Sequence, residues 1–149
     1  MKCTSCGHKG LKATTTAHEI RIGDHVIRGI VAAEACPKCK EIYVSGLELE
    51  RLEMQVAATI ASSGNVNGDT FRFMRKALGF QAKDMLEVIG TPPETISRWE
   101  KGARDVDRFA WITLASMVID KVEKRAPSTR DVVLATMKPK TLPKVVKVA

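Results

Sequence analysis

The chain has 149 residues, 44% of them hydrophobic, and a formal net charge of +7. That length holds one domain or two small ones, and no apolar run approaches the roughly 18 residues a membrane helix needs. The basic excess sits mainly at the end: residues 121–149 carry eight Lys/Arg against two Asp/Glu, whereas residues 69–120 carry eight against eight. Such a tail suits contact with phosphates or simple solvation, and both stay open.

The first 46 residues read as short strands around paired cysteines. Cys3-x-x-Cys6 and Cys36-Pro-Lys-Cys39 contain all four cysteines of the chain. A Cys-x-x-Cys turn brings two thiolates to one ion, and two such turns supply the four soft ligands of a closed structural zinc site. The alternatives are two disulfides or a redox dithiol. The start of the chain has no signal-like apolar run, which argues for a cytoplasmic, reduced setting. A thiol oxidoreductase would need a βαβ setting that is not seen here. One zinc per chain is expected on Cys3, Cys6, Cys36 and Cys39. His8, His18 and His25 are left without a role. Between the knuckles, Ile20, Ile22 and Val26 flank Gly23-Asp24 and predict a hairpin. Ile30 and Val31 extend its second strand, and Ile42 with Val44 makes a last short one.

A helix follows. Ser45 and Glu48 have capping-box spacing, and Leu49, Leu52, Val56 and Ile60 recur at helical period. Ser62–Gly68 is small, polar and glycine-bearing, the clearest linker in the chain. Beyond it, Asp69 is the predicted cap of a helix carrying Phe71, Met74 and Leu78. A short helix runs from about Gln81 to Ile89. Thr91 is the predicted N-cap of the next, with Pro92 at its first position and Glu94 completing a box. Ile96 and Trp99 face its core and Gly102 ends it. A helix from Asp107 carries Phe109, Ile112, Leu114, Ala115 and Val118, and another spans 128–137. Val145, Val146 and Val148 form a short strand or stay unstructured. The fold class is α+β: a zinc-bound β unit and its connecting helix (1–61), a linker (62–68), an all-α unit (69–125) and a basic extension (126–149).

Helix, glycine turn and helix within 81–101 follow the plan of a helix-turn-helix, whose second helix enters the major groove. Arg98 suits a guanine edge, and Glu94 suits a cap or a cytosine. Thr95 sits on the same exposed turn, while Gln81, Lys101 and Arg104 are placed for phosphates. An ordinary Glu94–Arg98 helix pair is the competing reading, and Glu100 reads as a helix-end ion-pair residue. No nucleophile–base constellation, nucleotide loop or carboxylate pair suggests an enzyme.

Thr95-Ile96-Ser97-Arg98-Trp99-Glu100-Lys101-Gly102 resembles the Cro/XRE-like repressors. Together with Met1-Lys2-Cys3 and the second Cys-x-x-Cys, the chain resembles the MqsA antitoxins with their YgiT-type zinc finger over about residues 1–120. The resemblance implies zinc on Cys3, Cys6, Cys36 and Cys39, and a base-reading arginine at Arg98. It also implies a toxin docked on the zinc unit and a homodimer bound to a palindromic operator. Glu94 stands where that family has a base-reading asparagine, and Ala82 where it has a glutamine, with Gln81 displaced by one. A different operator is therefore expected. A stand-alone regulator without a toxin is the alternative.

Overall fold

In the computed structural model, which describes residues 1–148, the sheet is one long hairpin with a short third strand. β1 (Lys12–Ile22) and β2 (His25–Ala35) pair antiparallel along their whole length, Lys12 opposite Ala35 and Ile22 opposite His25. The turn between them puts Gly23 at φ 59°, a region glycine enters without steric cost. The predicted hairpin is present, but each strand has eleven residues. The first half of β1 is Lys-Ala-Thr-Thr-Thr, almost entirely exposed, so it offers no apolar alternation to read. β3 (Ile42–Tyr43) joins β2 beside Glu34 and Ala35, giving the order β1-β2-β3 with β1 on an outer edge.

α1 (Gly46–Ser63) starts at Ser45, whose hydroxyl accepts the Glu48 N–H at 3.2 Å. The other half of the predicted box is not made, because Glu48 turns to Arg51 at 2.6 Å. Ser62 and Ser63, read as linker from their polarity, complete the helix, and Gly64 closes it at φ 71°. Asn67, not Asp69, caps α2 (Gly68–Ala77): it accepts the Thr70 N–H at 2.9 Å, and the Thr70 hydroxyl accepts the Asn67 N–H at 3.3 Å. The connection between these helices is therefore only residues 64–67.

The helix predicted from Gln81 is split. The Gln81 N–H donates to Asp84 at 2.7 Å, and Ala82–Asp84 tightens to a 3-10 turn before α3 (Met85–Ile89). α4 (Pro93–Glu100) begins one residue later than predicted. A residue before proline is pushed to extended backbone, so Pro93 holds Pro92 extended at ψ 155° and takes the first helical position itself. With the start displaced, the Thr91–Glu94 box is not made. α5 (Arg108–Glu123) is capped by Asp107, and α6 (Thr129–Met137) by Ser128. Residues 138–148 form neither helix nor strand, so the valines near the end pair with no described strand.

Among the described residues the architecture is α+β, three strands followed by six α-helices. One buried cluster joins Ile22 of the hairpin, Val56, Ala57 and Ile60 of α1, and Phe71, Met74, Met85, Ile96, Trp99, Leu114 and Val118 of the later helices. α1 lies along α5 and touches α2. It meets β2 where Gly29 leaves room for Leu52: a Cβ at Gly29 would stand 2.2 Å from Leu52 Cδ1. Phe109 and Ile112, expected with the apolar set of α5, point outward instead, Phe109 being 74% exposed.

Candidate metal centre and nucleic-acid interface

The two cysteine turns are built alike. In the first, the Cys3 N–H donates to the His8 carbonyl at 2.9 Å and the Gly7 N–H to the Cys3 carbonyl at 3.0 Å. In the second, the Cys36 N–H donates to the Glu41 carbonyl and the Lys40 N–H to the Cys36 carbonyl, both at 2.9 Å. The fifth residue of each turn is left-handed, Gly7 at φ 72° and Lys40 at φ 66°. The two turns bring all four thiols to one place. β2 runs directly into Cys36, and β3 returns beside it, so the sheet sets one knuckle against the other.

The four Sγ atoms lie within 4.8 Å of one another. Cys3 and Cys39 are 3.5 Å apart, and Cys6 and Cys36 3.6 Å, with no disulfide among them. A tetrahedral ion with sulfur bonds of about 2.3 Å has sulfur–sulfur edges of about 3.8 Å, so the donor set fits a metal ion. Cys3 and Cys36 are buried, Cys6 is half-buried and Cys39 is exposed. The Tyr43 hydroxyl, then the Cys6 backbone N–H, lower the Cys3 thiol to about 6. The Cys39 backbone N–H, ahead of the other contributions, lowers Cys36. Cys39 gains from the Glu41 N–H, but desolvation and the sulfurs of Cys3, Cys6 and Cys36 outweigh it and push Cys39 up to about 12. Four thiols this close resist ionising together unless a cation shares the charge.

The second constellation is α3, the turn at Gly90 and α4. Gly90 closes α3 at φ 69°, and the 3-10 turn and α3 both pack against α4. On α4, Ile96 and Trp99 are buried, with Trp99 edge-on to Phe71 at 5.4 Å between centroids. Glu94 and Arg98 are exposed one turn apart, while Thr95 is half-buried. Among the described residues neither Glu94 nor Arg98 forms an ion pair. Lys101 and Arg104 are exposed in the turn after α4, which folds back so that the Ala103 N–H meets the Arg98 carbonyl at 2.9 Å. Gln81 is exposed at the far end of the bracing segment.

Sequence reasoning missed three residues. Arg75, on α2, grips Glu100 with Nε at 2.6 Å and Nη2 at 3.0 Å, and donates Nη1 to the Phe80 carbonyl at 2.8 Å. Glu100 is the ion-pair residue expected, but its partner lies 25 positions earlier. Gly68 lets α2 start against the end of α4: a Cβ there would meet the Trp99 carbonyl oxygen at 2.1 Å. Tyr43 touches the first knuckle. None of the three carries a local signal, since each contact is made across the fold.

A four-cysteine centre at the root of a β-hairpin, carried in one chain with a helix-turn-helix whose second helix turns an arginine outward, defines a cysteine-knuckle protein joined to a helix-turn-helix bundle. The chain belongs to the MqsA family: the family model described as the antitoxin component of a bacterial toxin–antitoxin system, MqsA, matches residues 1–123. No curated protein matches the chain. The match stops with α5, so α6 and the basic residues after it lie outside the matched part. Among the described residues no helix is long and apolar enough to cross a membrane.

Proposed function

We propose that this chain is a zinc-containing, homodimeric transcriptional repressor acting as the antitoxin of a toxin–antitoxin pair. One observation carries the DNA-binding part. α4 is locked from behind by Ile96, Trp99 and the Arg75–Glu100 pair, yet offers Glu94 and Arg98 to solvent without an ion-pair partner. A recognition helix needs that combination, a rigid back and uncommitted donors and acceptors in front.

Zinc is the ion that four thiolates in a closed shell suit best, and such a shell leaves no position for water, so the metal holds structure. Phe109 and Ile112, three apart on α5 and both exposed, supply apolar surface for a second copy. The outer edge of β1 offers main-chain groups to a toxin by strand addition. Arg98 reads a guanine edge, and Glu94 favours cytosine over the bases an amide would read. Thr95, Gln81, Lys101 and Arg104 contact the backbone beside it.

The test is binding of the full chain to duplexes from its own promoter. Two half-sites about 34–36 Å apart should be protected, one per recognition helix. Arg98→Ala should cost about 1–3 kcal/mol and relax preference at one base pair. Lys101→Ala and Arg104→Ala should weaken all duplexes alike and flatten the salt dependence. Unchanged promoter binding by Arg98→Ala would refute the assignment of α4. Capture of a toxin by the full chain supports the antitoxin role, whereas a stand-alone regulator captures none.

A further inference from the structure

The chain has a single tyrosine, Tyr43, and its hydroxyl oxygen lies 3.2 Å from Cys3 Sγ, 3.1 Å from the Thr4 backbone nitrogen and 3.1 Å from Thr4 Oγ1. We infer that Tyr43 is a positioning residue of the metal centre: it donates its hydrogen bond to the Cys3 sulfur and ties the first knuckle to β3. The inference rests on the reading that the four cysteines hold a metal ion.

Counting hydrogens fixes the direction of the bond. The Thr4 N–H can only donate, so it points at the phenol oxygen. A metal-bound thiolate carries no hydrogen, so it can only accept. The phenol has one hydrogen to give. If that hydrogen went to Thr4 Oγ1, the buried Cys3 sulfur would face an oxygen lone pair with nothing between them. In the arrangement that satisfies every group, Thr4 donates twice to the phenol oxygen, from N–H and from Oγ1–H, and the phenol O–H goes to sulfur. The geometry also explains why this side chain comes from here. Tyr43 pairs with Glu34 in the sheet, two residues before Cys36. Its ring therefore reaches from the second knuckle's strand across to the first knuckle, 40 residues away in sequence. Groups that hydrogen-bond metal ligands from outside set their orientation and the electron density they give the metal, and their loss typically costs about 10–100-fold in metal affinity.

The experiment uses the full-length protein loaded with Co(II), whose sulfur-to-cobalt charge-transfer band reports the electron density on the thiolates. A hydrogen bond stabilises the sulfur lone pair, so Tyr43→Phe should shift the band to lower energy and weaken zinc binding in chelator competition by about 10–100-fold. Thr4→Val keeps the phenol–sulfur bond and should leave the band in place. Because Tyr43 is the sole tyrosine, growth on 3-fluorotyrosine labels this position alone. The fluorophenol is a stronger donor of nearly unchanged shape, and it should shift the band to higher energy. An unmoved band in both Tyr43→Phe and the fluorinated protein overturns the inference, whether or not affinity falls, because a packing role alone changes affinity without touching sulfur. Where Tyr43→Phe fails to fold, the fluorinated protein decides. Wild-type protein that binds no Co(II) removes the metal reading itself, a failure distinct from an unmoved band.

Discussion

At the scale of single residues, the front of α4 is governed by side chains behind it. Arg75 and Glu100 have side chains only 8% and 11% exposed and meet through two hydrogen bonds, 2.6 and 3.0 Å long. A bidentate arginine–carboxylate pair fixes both distance and orientation, so it holds the last turn of α4 to α2. Removing one partner strands the other charge in a buried site, which typically costs about 3–5 kcal/mol. Glu100→Gln keeps the size and one acceptor, so it should fall at or below the lower end of that range. Gly68 acts on the same joint from the backbone side. A methyl there meets a main-chain oxygen, which cannot swing away as a side-chain tip can, so α2 and α4 must separate. Gly68→Ala should therefore destabilise by about 1–3 kcal/mol, the usual cost of overpacking. With α4 as the proposed recognition helix, both variants should also lose promoter affinity, although neither position lies on its exposed face. Denaturant midpoints and duplex titrations check this together. A Gly68→Ala protein matching wild type in both would show that the joint does not support α4 as described.

At the scale of elements, α6 is held to α5 by one carboxylate and capped by another. Asp120, buried on α5, accepts the Thr129 hydroxyl and the Thr129 N–H, both at 2.6 Å. The Thr129 hydroxyl first, then its N–H and the charge of Arg125, hold the Asp120 carboxyl below its ordinary 3.8. The Ser128 N–H, then the Ser128 hydroxyl, do the same for Asp131 at the cap of α6. A carboxylate with a lowered folded pKa contributes stability that is complete above its unfolded value and lost as pH falls through the folded one. α6 should stay docked above the ordinary carboxylate value of 3.8 and come off as the pH falls below it, before the rest of the helices. Amide exchange at Val132–Leu134 during an acid titration reads this directly. Asp120→Asn should loosen α6 already at neutral pH, and an unchanged exchange profile in that variant would break the argument. How far each element was legible in the sequence follows from the range of its signal. The cysteine knuckles, the Gly23-Asp24 turn and the buried Ile96 and Trp99 are specified within a few residues, and they were readable. Ser62, Ser63 and Gly68 carry the composition of a linker, but two of them finish a helix and the third permits a tertiary contact. Polarity and small size suit caps and close approaches as well as they suit linkers. Tyr43 and Arg75 were illegible for the same reason: their partners stand 40 and 25 residues away, and period and spacing do not reach that far.

At the scale of the molecule, the hairpin has two supports of different kind. Its knuckle end depends on the four cysteines. Its turn end is packed into the helical core: Ile22 lies in the buried cluster with Val56 and Ile60, Gly29 receives Leu52, and Gly23 stands so close to Asp69 that a Cβ would meet its carboxylate at 2.3 Å. A small β unit alone has too little core to stand without a staple, but only part of this one relies on the staple. Removing the proposed metal should therefore melt the molecule locally. Amides in residues 2–10 and 36–43 should lose protection from exchange once a strong chelator strips the ion, because nothing but weak thiol contacts then bridges the two turns. Amides around Ile22 and Ile27, and those of α1 and α5, should keep most of theirs, since their burial is apolar and independent of the cysteines. The same division bears on function. Promoter binding through α4 should survive chelation within a few-fold, while any partner held at the knuckle end should be released. Exchange measured by mass spectrometry on the full chain, with and without chelator, tests this peptide by peptide. Loss of protection in α1 and α5 together with the knuckles would mean that the metal supports the whole fold and that the packed end of the hairpin contributes little by itself.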